Sequence, residues 1–252
     1  MRKKIVGSSW KMHIDSIYKG EELAKEIRNL VGKIDEIDIF IIPTYPMIPV
    51  ISKIFQGSCI KWGAQNVSYI EKGALTGEVP PLVLKELGCT YVEVGHAERR
   101  ANLNETDETV NKKIKLIFKY GMIPIICIGE TLSDLNNNYG KLRLETQILW
   151  ALDGLNKDEI EKVVIAYEPV WAIGQSEAAK EDYVEEVHSF IRSVITDRYG
   201  EEVGQAVRII YGGSVSPESA QKLCLKENVD GVFIGRFGLK AENFEKMVCA
   251  FK

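Results

Sequence analysis

Eight short runs of apolar, mostly β-branched residues punctuate the chain at near-regular intervals, and they constrain its fold more than any other feature. They occupy residues 4–7, 37–42, 60–65, 91–94, 123–128, 163–167, 208–211 and 232–234. Between them lie stretches of helical period, such as Leu23, Ile27, Leu30 and Val31, or Val184, Val187, Ile191 and Val194. Gly88, Gly121 and Gly200 stand just past predicted helix ends, where a left-handed residue closes the last turn. Runs that are apolar throughout are buried on both faces, which implies parallel pairing. Eight strand-plus-helix units in 252 residues, with no linker between them, match the size of a single-domain (β/α)8 barrel over 1–252. Asn136-Asn137-Asn138 reads as a loop. A doubly wound open sheet is the competing architecture, but no Gly-x-Gly-x-x-Gly follows the first strand, which disfavours a dinucleotide fold.

Composition narrows the function classes. A net charge of −4 argues against a nucleic-acid surface. The five cysteines are odd in number and scattered without a Cys-x-x-Cys pair, so neither a disulfide framework nor a zinc site is expected. The N-terminal apolar stretch is too short for a signal peptide, and no run approaches the ~20 apolar residues of a membrane span. A soluble cytoplasmic protein is the expectation.

In a (β/α)8 barrel any site is built on the loops after the strands. The first strand is followed by Ser9-Trp10-Lys11, the fourth by Gly95-His96-Ala97-Glu98, and the sixth by Glu168. Pro169 fixes the chain's exit from that carboxylate, and Val170-Trp171-Ala172-Ile173-Gly174 forms a loop with its own apolar cover. Closing such a loop expels water and raises the basicity of a nearby carboxylate. The seventh and eighth strands end in Tyr211-Gly212-Gly213-Ser214 and Gly235-Arg236. Singly, these are an exposed glutamate, a core histidine, a surface lysine and ordinary turns. Jointly, they are a base, a polarising imidazole, a fixed cation and backbone donors, the groups needed to remove a proton next to a carbonyl on a phosphorylated substrate. His13 and His188 gain no role from this pattern.

Motifs along the whole chain resemble the triosephosphate isomerase family. They are Trp-Lys-Met at 10–12, Gln-Asn-Val at 65–67, Thr-Gly-Glu at 76–78, Gly-His-Ala-Glu-Arg-Arg at 95–100, Cys-Ile-Gly-Glu at 127–130, Tyr-Glu-Pro-Val-Trp-Ala-Ile-Gly at 167–174 and Tyr-Gly-Gly-Ser at 211–214. The resemblance implies a TIM barrel and an aldose–ketose isomerase that needs no cofactor, since the substrate's carbonyl is the electron sink. It implies that Glu168 is the general base, that neutral His96 polarises the carbonyl and that Lys11 supplies the fixed charge. Phosphate would rest on Gly174, Ser214, Gly235 and Arg236. The lid would run from Pro169 through Trp171 to Ala179, latched by Tyr211 and Ser214. A homodimer is also implied, with Thr76 reaching the partner's active site; the substrate would be a small phosphorylated sugar.

Four departures from the family pattern surround the substrate without touching Glu168, His96 or Lys11. Ser9 stands where asparagine is usual, and Ala97 where serine follows the histidine. Gln175-Ser176-Glu177 replaces the usual lid tip, and Gly235-Arg236 replaces a Gly-Gly turn. Ser9 and Gly235-Arg236 resemble an offshoot of the family, the L-erythrulose-1-phosphate isomerases. Triose and tetrulose phosphates therefore both stand as expected substrates, with the triose placed first. A sugar-phosphate-binding protein without turnover is a third reading, drawn from Ala97 and the altered lid.

Overall fold

The computed structural model describes residues 2–173 and 179–252. Eight parallel strands close on themselves in sequence order: β1 (Ile5–Ser9), β2 (Asp38–Ile42), β3 (Ile60–Ala64), β4 (Tyr91–Val94), β5 (Ile123–Ile128), β6 (Val164–Tyr167), β7 (Arg208–Tyr211) and β8 (Gly231–Ile234). Closure is made where β1 pairs with β8, Ile5 opposite Gly231 and Ser8 opposite Ile234. The fold is a single-domain (β/α)8 barrel, and the open sheet is excluded by that last pairing. Three expected strands match residue for residue, and the others shift by one or two positions at their ends.

Period-two alternation divides each strand's side chains between two cores. The lumen is filled by Ile5, Phe40, Ile42, Tyr91, Ile125, Cys127, Val164, Ala166, Ile210 and Phe233. Phe40 lies 4.8 Å from Tyr91 and 5.6 Å from Phe233, ring centre to ring centre. Gly7 permits this, because a Cβ there would fall 1.9 Å from the Phe40 ring. The outer core joins the alternate residues, including Val6, Ile39, Ile41, Val92, Val94, Ile165 and Ile209, to the inward stripes of the helices.

Those stripes follow the sequence with one exception. Leu23, Ile27 and Val31 of helix Ile17–Val31 are buried, but Leu30 is exposed, one position beyond the arc that faces the barrel. Val184, Val187, Ile191 and Val194 of helix Glu181–Tyr199 are all buried. Gly88, Gly121 and Gly200 each take positive φ. The expected loop at Asn136-Asn137-Asn138 is corrected in part: Asn136 ends a short helix, Leu132–Asn136, started by a Thr131/Asp134 capping box, and only Asn137 and Asn138 turn away.

At the N-terminal end of the strands, Asp230 accepts from Arg2 Nε at 2.6 Å, Arg192 Nη2 at 2.9 Å and the Ile209 amide at 2.8 Å. Arg192 also donates to the carbonyls of Gly204 and Val207. His188 packs edge-on to Tyr167 with Nδ1 3.1 Å from the Asn228 carbonyl, which is a structural role.

Candidate active site

The C-terminal ends of β1, β4, β6, β7 and β8 surround one cavity of about 740 Å³. Ser9, Lys11, His96, Glu168, Ser214, Gly235 and Arg236 all line it. Gly174, expected at the phosphate, lies outside the described residues, as do Gln175, Ser176 and Glu177 of the lid tip. His13, given no role from the sequence, stands on the cavity wall beside Glu98.

Lys11 leaves β1 with φ of +47°, a left-handed conformation unusual for a lysine. Gln65 holds the strained turn by donating to the Lys11 carbonyl at 2.9 Å and to that of Ile42 at 3.2 Å. The ammonium meets Glu98 Oε1 at 2.6 Å, and that hydrogen bond with the charges of Glu168 and Glu98 raises its pKa against the opposing pull of burial. The cation therefore stays charged at ordinary pH.

His96 ends the β4 loop as N-cap of helix Ala97–Leu103. Its Nδ1 accepts the Glu98 amide N–H at 3.1 Å, so the neutral ring carries its proton on Nε2. Burial, then the nearby Lys11 charge, lowers its pKa to about 4, and the imidazole is neutral at ordinary pH. Nε2 lies 3.1 Å from Glu168 Oε2.

Glu168 is placed by its own backbone, whose amide donates to the Ile128 carbonyl at 2.8 Å, before Pro169 turns the chain. Only 3% of the residue is exposed. Its Oε1 accepts from the Cys127 thiol at 3.5 Å, while Oε2 has no hydrogen-bond partner among the described residues. Burial, then the charge of Glu93, raises its pKa to about 8; Lys11 pulls the other way. Gly212 makes room for it, since a Cβ there would lie 2.5 Å from Glu168 Cγ. A carboxylate of this kind, stripped of water and with an unused oxygen, is a strong base for a proton delivered into the cavity.

The described residues on either side of 174–178, within the expected lid, are tied down. At the near end, Trp171 Nε1, Tyr167 Oη and Tyr183 Oη converge on Glu130 Oε1 at 2.8, 2.9 and 3.2 Å. At the far end, the Ala179 amide donates to Tyr211 Oη at 3.1 Å. A Ser216/Ser219 capping box starts helix Pro217–Leu223 and fixes the turn that carries Ser214. Gly235 opens the single-turn helix Arg236–Leu239 and lines the cavity, and a Cβ on it would meet no atom of the described residues within 4 Å. Thr76 lies apart from this cavity, exposed in the long loop between β3 and the next helix.

Two residues of the site have no role in the sequence reading. Glu130 ends the Cys-Ile-Gly-Glu motif, but its job depends on three donors from distant positions. Glu93 is buried in β4 and accepts from Ser9 Oγ at 2.9 Å. Its signal was present: a carboxylate breaks the interior of the apolar run Tyr-Val-Glu-Val.

Comparison with known proteins agrees along the whole length. The family model described as triosephosphate isomerase matches residues 4–251. A triosephosphate isomerase of Clostridium botulinum (strain Langeland) is 45% identical over 248 residues, which cover 98% of this chain and 99% of that protein. That of Dictyoglomus thermophilum is 42% identical over 248 residues, covering 98% and 99%. That of Clostridium tetani is 41% identical over 250 residues, covering 98% and 96%.

Proposed function

The chain belongs to the triosephosphate isomerase family, and we propose that it interconverts glyceraldehyde 3-phosphate and dihydroxyacetone phosphate. The observation that carries this reading is buried Glu168, whose Oε2 accepts no hydrogen bond among the described residues, lies 3.1 Å from Nε2 of neutral His96 and shares one cavity with Lys11. Glu168 takes a proton from the carbon beside the carbonyl, and the C–H electron pair moves into the carbonyl to give an enediolate. The Nε2–H of His96 and the Lys11 ammonium face the oxygen that gains charge. His96 passes protons between the two oxygens, and Glu168 returns its proton to the neighbouring carbon. Ser214, Gly235 and Arg236, at the ends of β7 and β8, hold the phosphate.

Kinetics with purified protein test the substrate. Turnover of the triose phosphates well above that of erythrulose 1-phosphate is expected; the reverse ranking would assign the enzyme to tetrulose phosphates. No turnover of either would leave a binding protein. The triose is favoured because the relatives quoted above carry that name.

The protein acts as a cytoplasmic homodimer in this reading. Support comes from the exposed loop carrying Thr76 and from the exposed apolar side chains Met12, Tyr69, Leu82 and Val83, which a partner subunit would cover. Among the described residues no helix is long and apolar enough to cross a membrane. Sedimentation is expected to give a dimer; a fully active monomer would overturn the assignment.

A further inference from the structure

Alternation along β4 sends Val92 and Val94 to the outer core and Tyr91 into the lumen, and Glu93 shares the inward face of Tyr91. A carboxylate therefore sits between the lumen's apolar column and the cavity above it, 3% exposed. Burying such a group without full pairing is costly, and an apolar side chain in its place would cost nothing. The surroundings give it a specific neighbour. Ser9, which lines the cavity, donates to Glu93 Oε2 at 2.9 Å. The Cys127 thiol lies 4.0 Å from Glu93 Oε1 and 3.5 Å from Glu168 Oε1, so one sulfur with one proton stands between two buried carboxylates.

We propose that Glu93 is a positioning residue for Glu168: through its charge and the shared Cys127 thiol, it governs how readily the base takes up a proton. The kinetic consequence rests on the isomerase reading above; the coupling of the two carboxylates does not. The groups facing the pair are Lys11 from the β1 end, His96, Glu98 and Glu105 from the β4 side, and Cys127 from β5, with Arg100 acting on the thiol. Lys11 and Arg100 are the cations in this set, and each carboxylate opposes ionisation of the other. Burial first, with the charges of Glu98 and Glu105 behind it, already holds Glu93 up at about 7 against the Ser9 hydroxyl and Lys11. When Glu93 is ionised, protonation of Glu168 relieves a like-charge contact, which favours removal of the substrate's proton. Ser9 belongs to the same device, because its hydroxyl steadies the ionised form of Glu93.

Titration by ¹³C NMR of glutamate-labelled protein tests the coupling without turnover, in the wild type, Glu93→Gln and Glu168→Gln. In Glu93→Gln the midpoint of Glu168 is expected to fall by about one pH unit. In Glu168→Gln the midpoint of Glu93 moves much less, because Glu168 is still largely protonated where Glu93 titrates. Should Glu93→Gln fail to fold, the wild-type titration decides: coupled carboxylates give curves in which Glu168 responds to the midpoint of Glu93, and two independent one-proton curves would overturn the proposal. The acid limb of kcat/KM in Glu93→Gln moves to lower pH by the same interval. An unmoved Glu168 midpoint in Glu93→Gln, or a rate lowered equally at every pH with the limb in place, would overturn the proposal. An inactive wild type would instead sink the isomerase reading and leave the midpoints to judge the coupling.

Discussion

Two ends of one barrel bury carboxylates in opposite ways. At the N-terminal end, Asp230 is saturated by two guanidinium groups and a backbone amide. At the C-terminal end, Glu168 keeps an oxygen that accepts no hydrogen bond among the described residues and has Glu93 for a neighbour. A buried charge with both oxygens hydrogen-bonded fixes the chain. A buried carboxylate held short of partners is costly to keep ionised, and that cost is what makes it a base. The left-handed Lys11 adds backbone strain at the same end.

Substitutions should separate the two ends. Glu168→Gln keeps the shape of the site and is expected to lower kcat by about 10⁴-fold, the upper range for a general base, with phosphate-ligand binding changed only a few-fold. Steady-state rates and ligand titration read the two effects. Arg192→Met acts at the other end, leaving Asp230 with one guanidinium group and one amide of its three donors. Breaking a buried pair costs about 3–5 kcal/mol, so Tm falls by about 10 °C while kcat of the folded protein holds. A large loss of kcat with an unchanged melt would reverse the assignment of the two ends.

A third change probes the lid without the base. Tyr211→Phe removes the acceptor of the Ala179 amide, a bond worth about 1 kcal/mol, and is expected to slow turnover about fivefold with little change in Tm. The smallest effect is a pH trend in stability. Glu93 and Glu168 have folded-state pKa values raised to about 7 and about 8 from 4.5, so their stabilising contribution is complete below 4.5 and is lost as pH rises through 7 and 8. His96 and His188 are lowered from 6.5 to about 4, and their contribution, present above 6.5, is lost as pH falls through 4. Thermal melts across this range should show Tm declining by a few degrees on the alkaline side, about half as steeply in Glu93→Gln.

The same contrast explains what the sequence discloses. Local signals that act within a few residues were legible: the eight apolar runs, the positive-φ glycines, and the placement of Lys11, His96 and Glu168 after strands that share a rim. Leu30 was misread because a stripe's edge depends on the curvature of the neighbouring sheet. Glu130 and Glu93 escaped because their meaning lies in partners 30 or more residues away, Tyr167, Trp171 and Tyr183 for one and Ser9 and Cys127 for the other. Ser9 and Glu93 are separated by 84 residues and become one unit only when the barrel closes.

Isomerisation of glyceraldehyde 3-phosphate in D₂O tests the central claim most directly, because a proton held on Glu168 between two carbons has an opportunity to exchange with solvent. The account predicts carbon-bound deuterium in the recovered dihydroxyacetone phosphate. Product formed at full rate with no solvent deuterium would mean a direct hydride shift and would contradict it.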